Sequence, residues 1–147
     1  MTRSRADEAE ALFREGFSCS QAVLAVFAGD FGLDRDTALK IAQGFGGGIS
    51  HTDDICGAAS GAVMVIGLRY GRMTADDIAA KDRTFTAVQK FLRQFAQRHS
   101  GKTTCTGLLG YNLSDPAQFA EAKQKKVIRA KCPGFVRDAV ELVEKLL

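Results

Sequence analysis

Four cysteines, Cys19, Cys56, Cys105 and Cys132, are the residues of this sequence best suited to chemistry. Each stands where a helix is expected to begin. Cys19 follows Ser18, which pairs with Gln21 three residues on as a capping box. Cys56 opens the apolar run "ICGAASGAVMVIGL", Cys105 follows Thr103 and Thr104, and Cys132 directly precedes Pro133. A helix N-terminus presents unpaired N–H groups and the positive end of the helix dipole. A thiolate placed there is stabilised, and its pKa falls from about 8.5 toward as low as about 3.5. The thiolate is both the nucleophile and the metal ligand. Arg129 and Lys131 favour it further at Cys132, whereas Asp53 and Asp54 oppose it at Cys56.

The spacings of 37, 49 and 27 residues contain no CxxC pair, so local zinc-finger and thioredoxin signatures are absent. Any site must be assembled by the fold. Two kinds of chemistry fit four thiols brought together. One is thiol/disulfide electron transfer, with the cysteines as catalytic groups of a thiol-dependent oxidoreductase. The other is a metal site of four cysteine thiolates holding zinc or an iron–sulfur cluster. A third reading has no chemistry at all: buried cysteines pack as small hydrophobes in a structural helical domain that dimerises through an apolar face.

The second candidate is "GFGGGIS" at 44–50. Gly46, Gly47 and Gly48 make a loop that a cofactor could approach closely, and His51 beside it could serve as a ligand or proton donor. The loop has neither the Lys-Ser/Thr ending of a Walker motif nor a strand before it. A tight turn with φ > 0 beside the Cys56 helix is the plainer reading. No Ser-His-Asp set and no paired-carboxylate site is apparent, and the basic run Lys123 to Lys131 has no interleaved aromatics, so nucleic acid is not an expected partner.

The elements that must position these residues read as helices nearly throughout. Ala9, Leu12 and Phe13 mark a first helix, and Ala22, Val23, Val26 and Phe27 a second. Asp34 caps a third that closes at the glycines after Ala42. An apolar helix at about 53–70 is expected to be central, with Gly57 and Gly61 four apart on one face to admit a neighbouring backbone. Thr74 opens a long amphipathic helix through about His99, Asp115 before Pro116 starts another, and Pro133 begins the last. No stretch shows sustained alternation. The fold class is therefore all-α, a single domain over 1–147 built as a bundle of six or seven helices.

Composition agrees. A chain of 147 residues, 46% hydrophobic and 25% charged, is an ordinary globular domain. At that length it buries roughly 70% of its unfolded surface and needs no disulfide or metal merely to fold. A net charge of +3 calls for neither nucleic acid nor membrane. The N-terminal "MTRSRADEAEALFREGF" has no apolar h-region, and Ile55 to Leu68 is short for a bilayer, so a cytoplasmic location is expected.

The ordered set "FSCSQAVLAVF", "GFGGGIS", "ICGAASGAVMVIGL", "CTGLLG" and "KCPGFV" resembles the C_GCAxxG_C_C family, named for its cysteine pattern and ascribed redox activity. One departure is visible: the pattern sets Gly before Cys and Ala after it, whereas Cys56 here precedes Gly57 and Ala58. The resemblance implies a redox or metal role for the four cysteines. It names no substrate; the electron partner, protein or small molecule, stays open, as does a homodimer.

Overall fold

The computed structural model describes residues 3–147. It is all-α, with eight right-handed helices among the described residues. These are α1 (Arg5–Glu15), α2 (Cys19–Ala28), α3 (Arg35–Ala42), α4 (Gly57–Tyr70), α5 (Ile78–Arg98), α6 (Cys105–Leu109), α7 (Pro116–Gln124) and α8 (Val127–Glu144). The number exceeds the expected six or seven because the short segment of α6 stands as a helix of its own. The only ladder-type pairing among the described residues is one antiparallel bridge between Ile55 and Thr104.

Caps set most boundaries. Ser4 starts α1 with Asp7 in a capping box, and Asp34 accepts from Thr37 N–H at 2.8 Å to start α3. Asp115 accepts from Ala117 N–H at 3.0 Å, with Pro116 at the first position of α7. Three starts differ from expectation. The cap of α5 is Asp77, accepting from Ala80 N–H at 3.1 Å, rather than Thr74. The central helix begins at Gly57 because the residues before it are held out of helical geometry: Asp53 is left-handed at φ +60°, and Cys56 N–H donates to Thr103 O at 2.8 Å. The last helix begins at Val127, after Lys126 in the left-handed region, and carries Pro133 within it. Ile128, Cys132, Phe135, Val136, Ala139 and Val140 share a helical spacing that runs straight through the proline.

At the heart of the bundle α4 packs on α2, with α5 and α8 also against α4 and α1 and α3 against α2. Phe27, Leu24, Phe91, Phe95 and Ile66 are fully buried there. Fully burying such a side chain stabilises by about 1.5–3 kcal/mol relative to exposure. The α2–α4 contact is close because Gly61 has no side chain: a β-carbon there would stand 2.9 Å from Ser20 O and 3.0 Å from Val23 Cβ. The last turn of α4 leaves the core, with Leu68 and Arg69 exposed. A smaller apolar cluster of Leu109, Leu113 and Ala122 surrounds Cys105, and Cys132 packs on it. No helix of the described residues is long and apolar enough to cross a membrane.

Candidate functional site

All four cysteines line one cavity of about 650 Å³, and all four are free thiols. The cavity lies where the N-termini of α2, α4 and α6 meet α8 and the glycine loop. Three cysteines do sit at helix starts: Cys19 at the first position of α2, Cys56 as the cap of α4 and Cys105 at the first position of α6. Thr104, not Thr103, caps α6 by accepting from Gly107 N–H at 3.0 Å. Cys132 does not sit at a helix start. It lies inside α8, about a turn and a half from the helix N-terminus, so the dipole that stabilises a thiolate is not available to it.

The glycine loop forms a wall shared by Cys19 and Cys105. Gly47 and Gly48 have φ +68° and +74°, and the left-handed twist continues through Ile49 (φ +56°), Ser50 (φ +55°) and His51 (φ +63°). Left-handed backbone costs an L-residue roughly 1–2 kcal/mol, and a β-branched residue such as Ile49 is the least suited to it. Hydrogen bonds hold the turn: Ser50 Oγ donates to Gly44 O at 2.9 Å, Thr52 Oγ1 to Ile49 O at 2.7 Å and Asp54 N–H to Gly48 O at 3.1 Å. The turn aims the Gly47 N–H at the Cys19 sulfur. It also lays Gly48 on Cys105, where a β-carbon would stand 2.7 Å from Cys105 Cβ. His51 covers Gly47 with its ring and packs on Phe119, ring centroids 4.7 Å apart.

Cys19 and Cys56 are immediate neighbours. The Cys19 sulfur fills the space left by the missing side chain of Gly57, the residue after Cys56. Hydrogen bonding from the Cys56 thiol is the largest influence on Cys19, and the N–H groups of Gly47, Ser20 and Cys19 itself add to it. Together they outweigh burial and bring the Cys19 pKa down to about 7. The same pairing works in reverse on Cys56, whose pKa is raised well above the ordinary thiol value by Cys19 and by burial. The pairing thus favours the thiolate on Cys19 and the proton on Cys56.

The remaining thiols are protonated. Burial pushes Cys105 up to about 11, aided by the charges of Cys19 and Asp53. Asp53 itself accepts from the Thr106 hydroxyl. Burial also raises Cys132, followed by the charges of Cys19 and Cys105. Arg129 and Lys131 do not offset this: Arg129 is exposed, and Lys131 Nζ reaches the Leu109 carbonyl at 3.4 Å.

A metal centre built from four cysteines needs its thiolates about one point. Among the described residues no three Cys, His, Asp or Glu side chains come together in a way that could hold a metal ion. The side chains therefore do not set out a zinc-type four-thiolate centre, whereas Cys19 and Cys56 stand as an adjacent pair. Sequence reasoning missed the Gly47 amide as a thiolate donor, although its predicted positive φ was the available signal. It also missed Arg14, Phe13 and Phe17, which α1 and its C-terminal loop contribute to the cavity.

The family model described as "Putative redox-active protein (C_GCAxxG_C_C)" matches residues 17–146. No curated protein and no solved structure matches the chain. The matched span takes in all four cysteines, the glycine loop and every helix from α2 to α8, and on it the chain belongs to the C_GCAxxG_C_C family.

Proposed function

We propose that the protein is a thiol-dependent redox protein in which Cys19 attacks and Cys56 resolves. The observation that carries this reading is the asymmetry of the adjacent pair: a Cys19 thiolate near neutral pH beside a protonated Cys56. A nucleophilic sulfur must be a thiolate, and an attacking thiol is most effective with a pKa near the ambient pH. In the oxidative direction Cys19 sulfur attacks a disulfide of the partner, forming a mixed disulfide and releasing one thiolate. Cys56 then loses its proton and attacks the Cys19 sulfur, which forms the Cys19–Cys56 bond and releases the second thiolate. The reverse sequence reduces the protein. A reducing compartment such as the cytoplasm suits four free thiols.

Controlled oxidation of the reduced protein, followed by peptide mapping, tests the assignment. The expected first product is a Cys19–Cys56 linkage. A protein that forms no linkage, or first links Cys105 to Cys132, overturns it.

A further inference from the structure

The dithiol reading leaves its partner undefined, and the cavity narrows the choice. The thiols open inward: Cys19, Cys56 and Cys105 are 8%, 6% and 9% exposed. Thiol–disulfide exchange requires the attacking sulfur to reach a sulfur of the disulfide. With Cys19 only 8% exposed, a disulfide fixed on a folded protein surface reaches its sulfur less readily than a small molecule that enters the cavity. The volume of about 650 Å³ falls within the roughly 300–1,000 Å³ of small-molecule sites.

The lining describes the molecule. Phe13, Phe17, Leu108, Leu113, Ile128 and Phe135 make apolar walls. The cationic side chains on the cavity are Arg14 and Arg129, and no Asp or Glu among the described residues lines it. Arg14 is shared with Glu10 at 3.1 Å, while Arg129 makes no ion pair among the described residues. Asp53, near Cys105, keeps outside the lining and is turned to Thr106. A cleft lined by one sign of charge concentrates the opposite charge and raises its on-rate by about 10–1,000-fold.

We propose that this cavity takes a small organic disulfide with an apolar body and an anionic group, the body against the aromatic walls and the anion toward Arg129 or Arg14. The proposal rests on the dithiol reading above. The reaction balances: protein dithiol plus one organic disulfide yields the Cys19–Cys56 disulfide plus two small thiols. Cys19 enters as the thiolate, so one product leaves as a thiolate that takes a proton from solvent according to its own pKa, and the Cys56 proton ends on the other product or in solvent.

Three disulfides of different charge test it on the reduced, full-length protein: the aromatic disulfide of thionitrobenzoate (anionic), dithiodipyridine (neutral) and cystamine (cationic). Each rate is divided by the rate of the same disulfide with free mercaptoethanol, which removes intrinsic reactivity. The expected order is anionic, neutral, cationic, with the anionic probe ahead of the neutral one by about tenfold. Arg129→Gln, or Arg129→Gln with Arg14→Gln, is expected to remove most of that gap, lowering the rate of the anionic probe relative to the neutral one. An oxidised protein disulfide such as that of thioredoxin is expected to react more slowly than any of the three. Equal corrected rates, a gap insensitive to both arginines, or a protein disulfide as fast as the anionic probe would overturn the proposal. Diamide, a small neutral oxidant of dithiols, separates the two levels. Failure of diamide to form the Cys19–Cys56 bond sinks the dithiol reading, whereas its success with flat charge dependence sinks only the small-anion inference.

Discussion

The sulfur of Cys19 stands where a side chain on Gly57 would have to go, with an ideal β-carbon at that glycine only 2.4 Å from Cys19 Sγ. The helix dipoles of α2 and α4 therefore meet at one sulfur, and the absence of a single carbon permits it. Gly57→Ala has no easy relief, because Phe45 O at 2.9 Å and Gly46 Cα at 3.1 Å also crowd the position. Overpacking of this kind costs about 1–3 kcal/mol. For a domain of this size that lowers Tm by about 2–4 °C per kcal/mol. The displaced Cys19 also loses its donors, so its alkylation midpoint is expected to rise from about 7. Thermal unfolding together with the pH profile of alkylation checks both effects. An unchanged profile would mean that Cys19 is not seated against Gly57.

One turn along the same face, Gly61 meets α2 at Ser20 O and Val23. Gly61→Leu wedges the two helices apart and is expected to cost about 1–3 kcal/mol, with Gly61→Ala milder. Because Ser20 follows Cys19 directly, the wedge also moves the two thiols apart. The yield of Cys19–Cys56 disulfide under mild oxidation, compared with Tm for both variants, measures the coupling. Full disulfide yield in Gly61→Leu would uncouple this contact from the site.

Much of this arrangement is legible in the sequence, for local reasons. Ser18 with Gln21, Asp34, Thr104 and Asp115 with Pro116 are caps that act within a turn of themselves, and each starts its helix in the structure. Cys132 shows where a local rule misleads. Proline suits a helix start, but the apolar spacing from Ile128 to Val140 continues through Pro133, and burial of that stripe outweighs the lost N–H. The left-handed turn at 47–51 has no signal beyond its glycines, since neither Ile49 nor Ser50 favours that backbone. It exists because hydrogen bonds to Gly44, Gly48 and Ile49 hold it. The pairing of Cys19 with Cys56 spans 37 residues and is fixed only by the α2–α4 contact. Its one trace in the sequence is the pair Gly57 and Gly61.

The thiol of Cys56 is the largest influence holding Cys19 down, so its removal has a definite sign. Cys56→Ala deletes the donor and leaves burial in place, which raises the Cys19 pKa above about 7. Cys56→Ser keeps a hydroxyl donor and is expected to retain more of the depression. At neutral pH the alkylation rate of Cys19 should fall several-fold in Cys56→Ala and less in Cys56→Ser. Equal rates in the wild type and Cys56→Ala would show that the backbone N–H groups of Gly47 and Ser20 suffice alone.

The same shifts fix how the stability of the reduced protein depends on pH. Cys19 is depressed from 9.0 to about 7 on folding. Between those values the folded state has released its proton while the unfolded state still holds it, so stability rises with pH across the window. It is lost again as pH falls through about 7. Cys105 is raised from 9.0 to about 11, and Cys56 and Cys132 shift the same way. Above pH 9 these folded thiols keep protons that the unfolded chain gives up, and stability falls as pH climbs toward about 11. Urea unfolding with a phosphine reductant, at half-unit steps of pH, should show a rise followed by a decline. Cys19→Ser cannot ionise in this range, so the rise from about 7 to 9 should vanish from it while the alkaline decline remains. A rise of equal size in Cys19→Ser would assign it to another group and would remove the stabilised thiolate on which the redox assignment rests.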